Sequence, residues 1–140
     1  MPFEAKELTI ATPHPTAPTV GCVLAVDDQE SFRRVLRRVV DATATLVPVG
    51  EAASGEAAVA LVVELEPDLV VMDVRMPGIG GVEAARRIKE LRPATIVLLV
   101  STTPAEHLAR AIDESGADGF VGKGELRPQL LDDLWRRRAP

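Results

Sequence analysis

Five polar residues each follow directly on an apolar run: Asp27-Asp28 after GCVLAV, Asp73 after DLVVM, Ser101 after TIVLLV and Lys123 after GFVG. A carboxylate at the end of a core segment is costly unless a metal, a base or a set of hydrogen bonds compensates it. Three carboxylates gathered at one place repel, and one of them takes up a proton when nothing neutralises the others. Clustered hard oxygens suit Mg²⁺, which takes one or two carboxylates, carbonyls and waters and keeps positions open for phosphate. Beside such an ion Asp73 can stay ionised and act as a nucleophile, forming an acyl phosphate. Phosphoryl transfer then needs its equatorial oxygens neutralised. The ion serves one, the Lys123 ammonium a second, and the Ser101 hydroxyl donates to a third. A lone acid in such a place usually caps the next helix or is solvated, and Asp28 or Ser101 alone would be read that way. All five together point to one pocket.

The elements that must build this pocket are legible as an alternation. Gly21–Val26 reads as a short buried strand. Phe32, Val35, Leu36, Val39 and Val40 then form one helix face, with Arg33, Arg34, Arg37 and Arg38 on a solvated opposite face. TLVPVGEA is a second strand, and its Pro48 suggests a sheet edge. Ser54 caps a helix running to about Glu66, which Pro67 ends. DLVVMD and TIVLLVS lack polar alternation and read as strands covered on both faces, with a helix over Val82–Leu91 between them. TPAE offers a capping box, with Thr103 as N-cap, Pro104 at the first helical position and Glu106 two residues on. That helix ends near Gly116, DGFVGK is the fifth strand, and Leu130, Leu131, Leu134 and Trp135 stripe a last helix. Five strands alternating with five helices make an α/β protein with a doubly wound parallel sheet. In such sheets ligands bind beyond the carboxyl ends of the strands, where the strand order reverses. All five pocket candidates lie at those ends.

In order and spacing, VLAVDD, VVMDVRMPGIGG, VLLVS and GADGFVGK resemble the receiver domains of two-component response regulators, over about residues 21–136. The runs around Asp73 look most like receivers joined to helix-turn-helix output domains. The resemblance implies the flavodoxin-like receiver fold and makes Asp73 the phosphoacceptor. Asp28 and Asp73 would hold Mg²⁺ together with the backbone carbonyl of Arg75, and Asp27 would act largely through water. Lys123 would pair with the phosphoryl group, Ser101 would follow it on activation, and Phe120 would be the aromatic switch. The partner implied is a sensor histidine kinase or phosphotransfer protein. A homodimer through the fourth helix, fifth strand and fifth helix is a further expectation. Met76-Pro77-Gly78 supplies the sharp turn that follows Asp73.

Two positions depart from that pattern. Gly124 stands where receivers commonly have proline after the lysine, and Phe120 where tyrosine is frequent. Arg75 and Thr103, two residues after Asp73 and Ser101, border the pocket mouth and are expected to set the acyl-phosphate lifetime. His14 and His107 have no metal-ligand spacing and read as surface residues.

Other functions fit less well. A phosphatase with an aspartyl nucleophile, of the haloacid dehalogenase type, needs a second acid where Arg75 stands. A flavodoxin-like cofactor binder wants backbone donors after the first strand, where DDQES offers carboxylates. A pseudo-receiver, acting as an interaction module without phosphorylation, keeps every pocket residue and remains the alternative to a working switch. The chain is not expected to be an enzyme beyond accepting and losing its own phosphoryl group.

The remaining features set bounds. At 140 residues the chain fits one domain. Residues 1–20, rich in Pro, Thr and Ala, read as a mobile tail and 21–138 as the receiver domain, and no output domain is expected within this chain. A net charge of −5 argues against direct nucleic-acid binding. The arginines of LWRRRAP read as cations at a helix C-terminus. Cys22, the single cysteine, reads as a small core residue. No apolar run is long enough to span a membrane, and residues 1–20 lack a cationic start followed by an apolar block and so do not read as a signal peptide, so a cytoplasmic location is expected.

Overall fold

Strands and helices alternate along the chain: β1 (Gly21–Val26), α1 (Glu30–Asp41), β2 (Leu46–Ala52), α2 (Gly55–Leu65), β3 (Leu69–Asp73), α3 (Gly80–Leu91), β4 (Ile96–Ser101), α4 (Ala109–Glu114), β5 (Gly119–Gly122) and α5 (Pro128–Arg137). The computed structural model describes residues 20–102 and 106–138. The expected tail with His14, and Thr103 with most of its capping box, lie outside those residues. A 3-10 turn over Glu106–Leu108 leads into α4.

The five strands form one parallel sheet in the order β2-β1-β3-β4-β5. The chain starts in the middle, steps outward to β2, then reverses across β1 to β3, which opens a crevice beyond the ends of β1 and β3. Pro48 sits on the β2 edge as its missing N–H suggested, next to a break in register opposite Val23 and Leu24. Ser54 accepts the Ala57 N–H at 3.1 Å and so starts α2.

Strand side chains alternate between two cores. Val70, Met72, Val97 and Leu99 pack against α2, α3 and α4 through Ala58, Val62, Ala85, Ile88 and Ile112. Leu69, Val71, Leu98 and Val100 pack against α1 and α5 through Leu36, Val40, Leu131 and Trp135. Both faces of β3 and β4 are therefore buried, which is why those segments carry no polar alternation.

Helix α1 departs from its expected face. Val35 is 43% exposed, whereas Leu36 and Val40 are fully covered. With each residue turning about 100°, the buried centre lies between Leu36 and Val40, and Val35 falls roughly 120° away from it. The same rotation brings Arg33 to within about 40° of the buried centre. Arg33 and Arg37 both reach the edge-strand carboxylate of Glu51; Arg33 is half-buried there, while Arg34, Arg37 and Arg38 stay exposed. Hydrogen bonding from Arg37, with a further bond from Arg33, holds the Glu51 carboxyl below the usual carboxylate range. Cys22 is half-buried at the start of β1 rather than a core residue.

Candidate functional site

Register brings the acids together. Val26 of β1 pairs with Met72 of β3, so the next residue of each strand, Asp27 and Asp73, comes out abreast at the carboxyl end of the sheet. Asp27 is fully buried and Asp73 is 6% exposed, while Asp28 faces solvent at the rim. One oxygen from each of the three carboxylates lies within 4.8 Å of the others, the one group of potential metal ligands among the described residues.

Lys123 closes the pocket from the far side. Its Nζ stands 2.7 Å from Asp27 Oδ2 and 3.4 Å from Asp73 Oδ2, and its side chain is nearly covered. The ammonium also lies 4.2 Å from the centre of the Phe32 ring. Asp27 Oδ1 accepts the Gln29 N–H at 2.8 Å, but its buried Oδ2 has no well-aligned hydrogen-bond donor and relies on the ion pair alone. Asp73 Oδ1 accepts the Arg75 N–H at 3.2 Å. Burial raises the Asp73 pKa above an ordinary aspartate's 3.8. The Arg75 N–H and Lys123 work against that shift, and Asp27 works with it.

The donor set fits a hard divalent cation. Three carboxylates with one lysine leave excess negative charge, and an Asp27 oxygen is buried without a directed donor. Asp27, Asp28 and Asp73 are the side chains that would hold Mg²⁺.

The other expected residues fall in two groups. Ser101 is buried at the end of β4 and pairs with Gly122, which places it one residue from Lys123 in the neighbouring strand. Phe120 pairs with Leu99 and stands 37% exposed. By alternation, Asp27, Asp73 and Lys123 extend the sheet face toward α1 and α5, whereas Ser101 and Phe120 extend the face toward α3 and α4. The side chain of Arg75 is exposed at the mouth, and Thr103 lies outside the described residues.

Four supporting residues, Arg33, Glu56, Gly81 and Phe32, were given no role in the pocket by sequence, and Gly78 was read there only as part of the turn after Asp73. Arg33 donates to the Asp27 carbonyl at 2.7 Å and bonds Glu51, bracing the turn that carries Asp27 and Asp28. Glu56, in the first turn of α2, accepts the Ile79 N–H at 3.2 Å and fastens the loop that follows Asp73. Gly78 in that loop has φ 86°, the left-handed region glycine favours, and its hydrogen-only side faces the Glu56 carboxylate. Gly81 lets α3 seat directly against the backbone of Asp73. Phe32 carries Lys123. Each was visible in sequence only as a helix charge, a turn glycine or an apolar-face residue, because none of these contacts is local.

Residues 23–134 match the family described as the response regulator receiver domain. The response regulator GacA of Pseudomonas aeruginosa is 38% identical over 112 residues, which are 80% of this chain and 52% of that protein. The chain thus spans about half the length of that relative. The chemotaxis protein CheY of Halobacterium salinarum is 34% identical over 112 residues, 80% of this chain and 92% of that one. Among solved structures, the signal receiver domain of the NarL response regulator from Mycobacterium tuberculosis superposes with a TM-score of 0.79 at 28% identity, covering 86% of this chain and 99% of that one.

Proposed function

The chain belongs to the response regulator receiver domain family, and from that membership we propose that residues 21–138 act as a phosphorylation switch with Asp73 as phosphoacceptor. The observation that carries this reading is the convergence of Asp27, Asp28 and Asp73, with the Lys123 ammonium reaching both Asp27 and Asp73. An Asp73 carboxylate oxygen attacks the phosphorus of a kinase phosphohistidine. A P–O bond forms, the P–N bond breaks, and its electron pair stays on the imidazole. Mg²⁺ held by Asp27, Asp28 and Asp73, with the Arg75 carbonyl, would supply charge neutralisation at the phosphoryl oxygens.

Lys123 moves its charge from Asp27 and Asp73 onto a phosphoryl oxygen, and the Ser101 hydroxyl donates to another. Withdrawal of Ser101 toward the phosphoryl group frees space on the α3–α4 face for Phe120, which shares that face. The ensemble then shifts to a second packing of α4, β5 and α5, through contacts made only in the phosphorylated state. That surface would engage an output domain, a second copy or another partner. Water attack on phosphorus returns free phosphate and the carboxylate, with Arg75 at the mouth, and Thr103 two residues after Ser101, setting the rate. The partner is a histidine kinase or phosphotransfer protein in the cytoplasm. No described helix is long and apolar enough to cross a membrane.

Intact mass after incubation with Mg²⁺ and acetyl phosphate tests the reading. One phosphate adduct that needs Mg²⁺ and is lost in Asp73→Asn is expected. A folded wild type that takes no adduct from acetyl phosphate or from a phosphorylated kinase would overturn it in favour of a pseudo-receiver. The Lys123–Asp27 ion pair favours that second reading, because it partly neutralises the pocket without a metal.

A further inference from the structure

We propose that Phe32 is a positioning residue for phosphoryl transfer, its ring face holding the Lys123 ammonium over Asp73 while the lysine changes anionic partners. The inference rests on the switch function above and adds a residue to that site. Among the described residues, Lys123 Nζ meets Asp27 Oδ2 at 2.7 Å, Asp73 Oδ2 at 3.4 Å and the Phe32 ring centre at 4.2 Å. Asp27 would be drawn on as a ligand once a divalent cation is bound, and phosphorylation would consume an oxygen of Asp73. The ring is the partner whose attraction survives both events. A cation over an aromatic face is held by the ring quadrupole, more strongly where water is excluded, and this side chain is only 10% exposed.

The backbone around Lys123 offers less support. The residue opens a short 3-10 turn, Lys123–Glu125, and a Cβ at Gly124 would meet nothing within 4 Å. Side-chain partners therefore decide where the ammonium stays. Phe32 is itself well anchored. Its N–H donates to the Gln29 carbonyl at 3.1 Å, its ring packs with the core under α1, and the adjacent Arg33 grips the Asp27 carbonyl.

The test compares wild type with Phe32→Leu, which keeps apolar bulk but removes the ring, and with Phe32→Tyr, which keeps the ring. Phe32→Met replaces the leucine variant should that one unfold. Phosphorylation by acetyl phosphate in saturating Mg²⁺ is timed by intact mass, and the Lys123 ε-methylene protons are followed by NMR in the same samples. Loss of the ring is expected to slow phosphorylation about three- to tenfold. It also moves the ε-methylene signal from a ring-shifted upfield position toward that of free lysine. Tyrosine preserves both. A wild-type rate in Phe32→Leu, or a tyrosine variant as slow as the leucine one, would overturn the proposal. If wild type takes no phosphate, the switch function itself fails. The ε-methylene shift then upholds or overturns the hold of Phe32 on Lys123 independently.

Discussion

Replacing Gly81 by alanine tests the seating of α3 under Asp73. Gly81 lies in the first turn of α3 and donates its N–H to the Val74 carbonyl at 3.0 Å. A Cβ there would stand 2.0 Å from the Asp73 carbonyl oxygen, and 2.9 Å from both the Asp73 carbonyl carbon and Val74 Cα. Carbon-to-oxygen contacts settle at about 3.3 Å or more, so helix and strand end must separate by about 1.3 Å. Their neighbours are main chain, which cannot swing aside as a flexible side chain would. Losing the Val74 hydrogen bond costs about 0.5–1.5 kcal/mol. Strain from the forced shift adds about 1–3 kcal/mol. Against these, alanine in a helix is favoured over glycine by about 1 kcal/mol. Gly81→Ala is therefore destabilised by about 0.5–3.5 kcal/mol, and the shift also disturbs the carboxylate that accepts the phosphoryl group. Urea unfolding of both proteins gives the midpoints, and intact mass with Mg²⁺ and acetyl phosphate gives the phosphorylation rate. The sign decides the matter. A midpoint equal to or above wild type would mean that propensity alone governs the site and that α3 does not rest on the Asp73 backbone.

Three further outcomes follow from the pocket and its surroundings. Because burial raises the Asp73 pKa above 3.8, the folded chain holds that proton more tightly than the unfolded one, and stability falls as pH rises through the window that begins near 3.8. Asp73→Asn lacks this penalty. In chelator it should be more stable than wild type at pH 7, with the gap closing as pH drops toward 3.8, and equal urea midpoints at pH 7 would refute the assignment. Lys123→Met strands the buried Asp27 charge and should cost about 3–5 kcal/mol, much of it recovered when Asp27→Asn is added; additive losses in the double-mutant cycle would count against the pair. On the surface of α3, hydrogen bonds from Arg86 and Arg87 pull the Glu83 carboxyl down to about 2. An NMR titration at low salt should find it there, moving up as salt is added, and an ordinary value would show that those arginines do not hold it.

The order of strands and helices, the identity of the pocket acids and the edge position of β2 were all legible in the residues. Each depends on short-range chemistry. An apolar run that stops on Asp73, a proline in an outer strand and a serine before a helix carry their meaning within a few positions. The rotation of α1 was not legible, because Phe32, Val35, Leu36, Val39 and Val40 are equally apolar. Which of them turns inward was settled by the sheet and by Glu51 reaching across for Arg33 and Arg37. The same holds inside the pocket. Sequence placed Asp27, Asp28, Asp73, Ser101 and Lys123 at strand ends. Only the register between β1 and β3 set Asp27 beside Asp73, and only the packing of α1 near the end of β5 put an aromatic ring under Lys123, with Asp27 buried and Asp28 left at the rim. Pairing register and helix rotation arise from contacts between residues tens of positions apart. Local propensity and periodicity name the groups available to such contacts, and tertiary packing chooses their distances and partners.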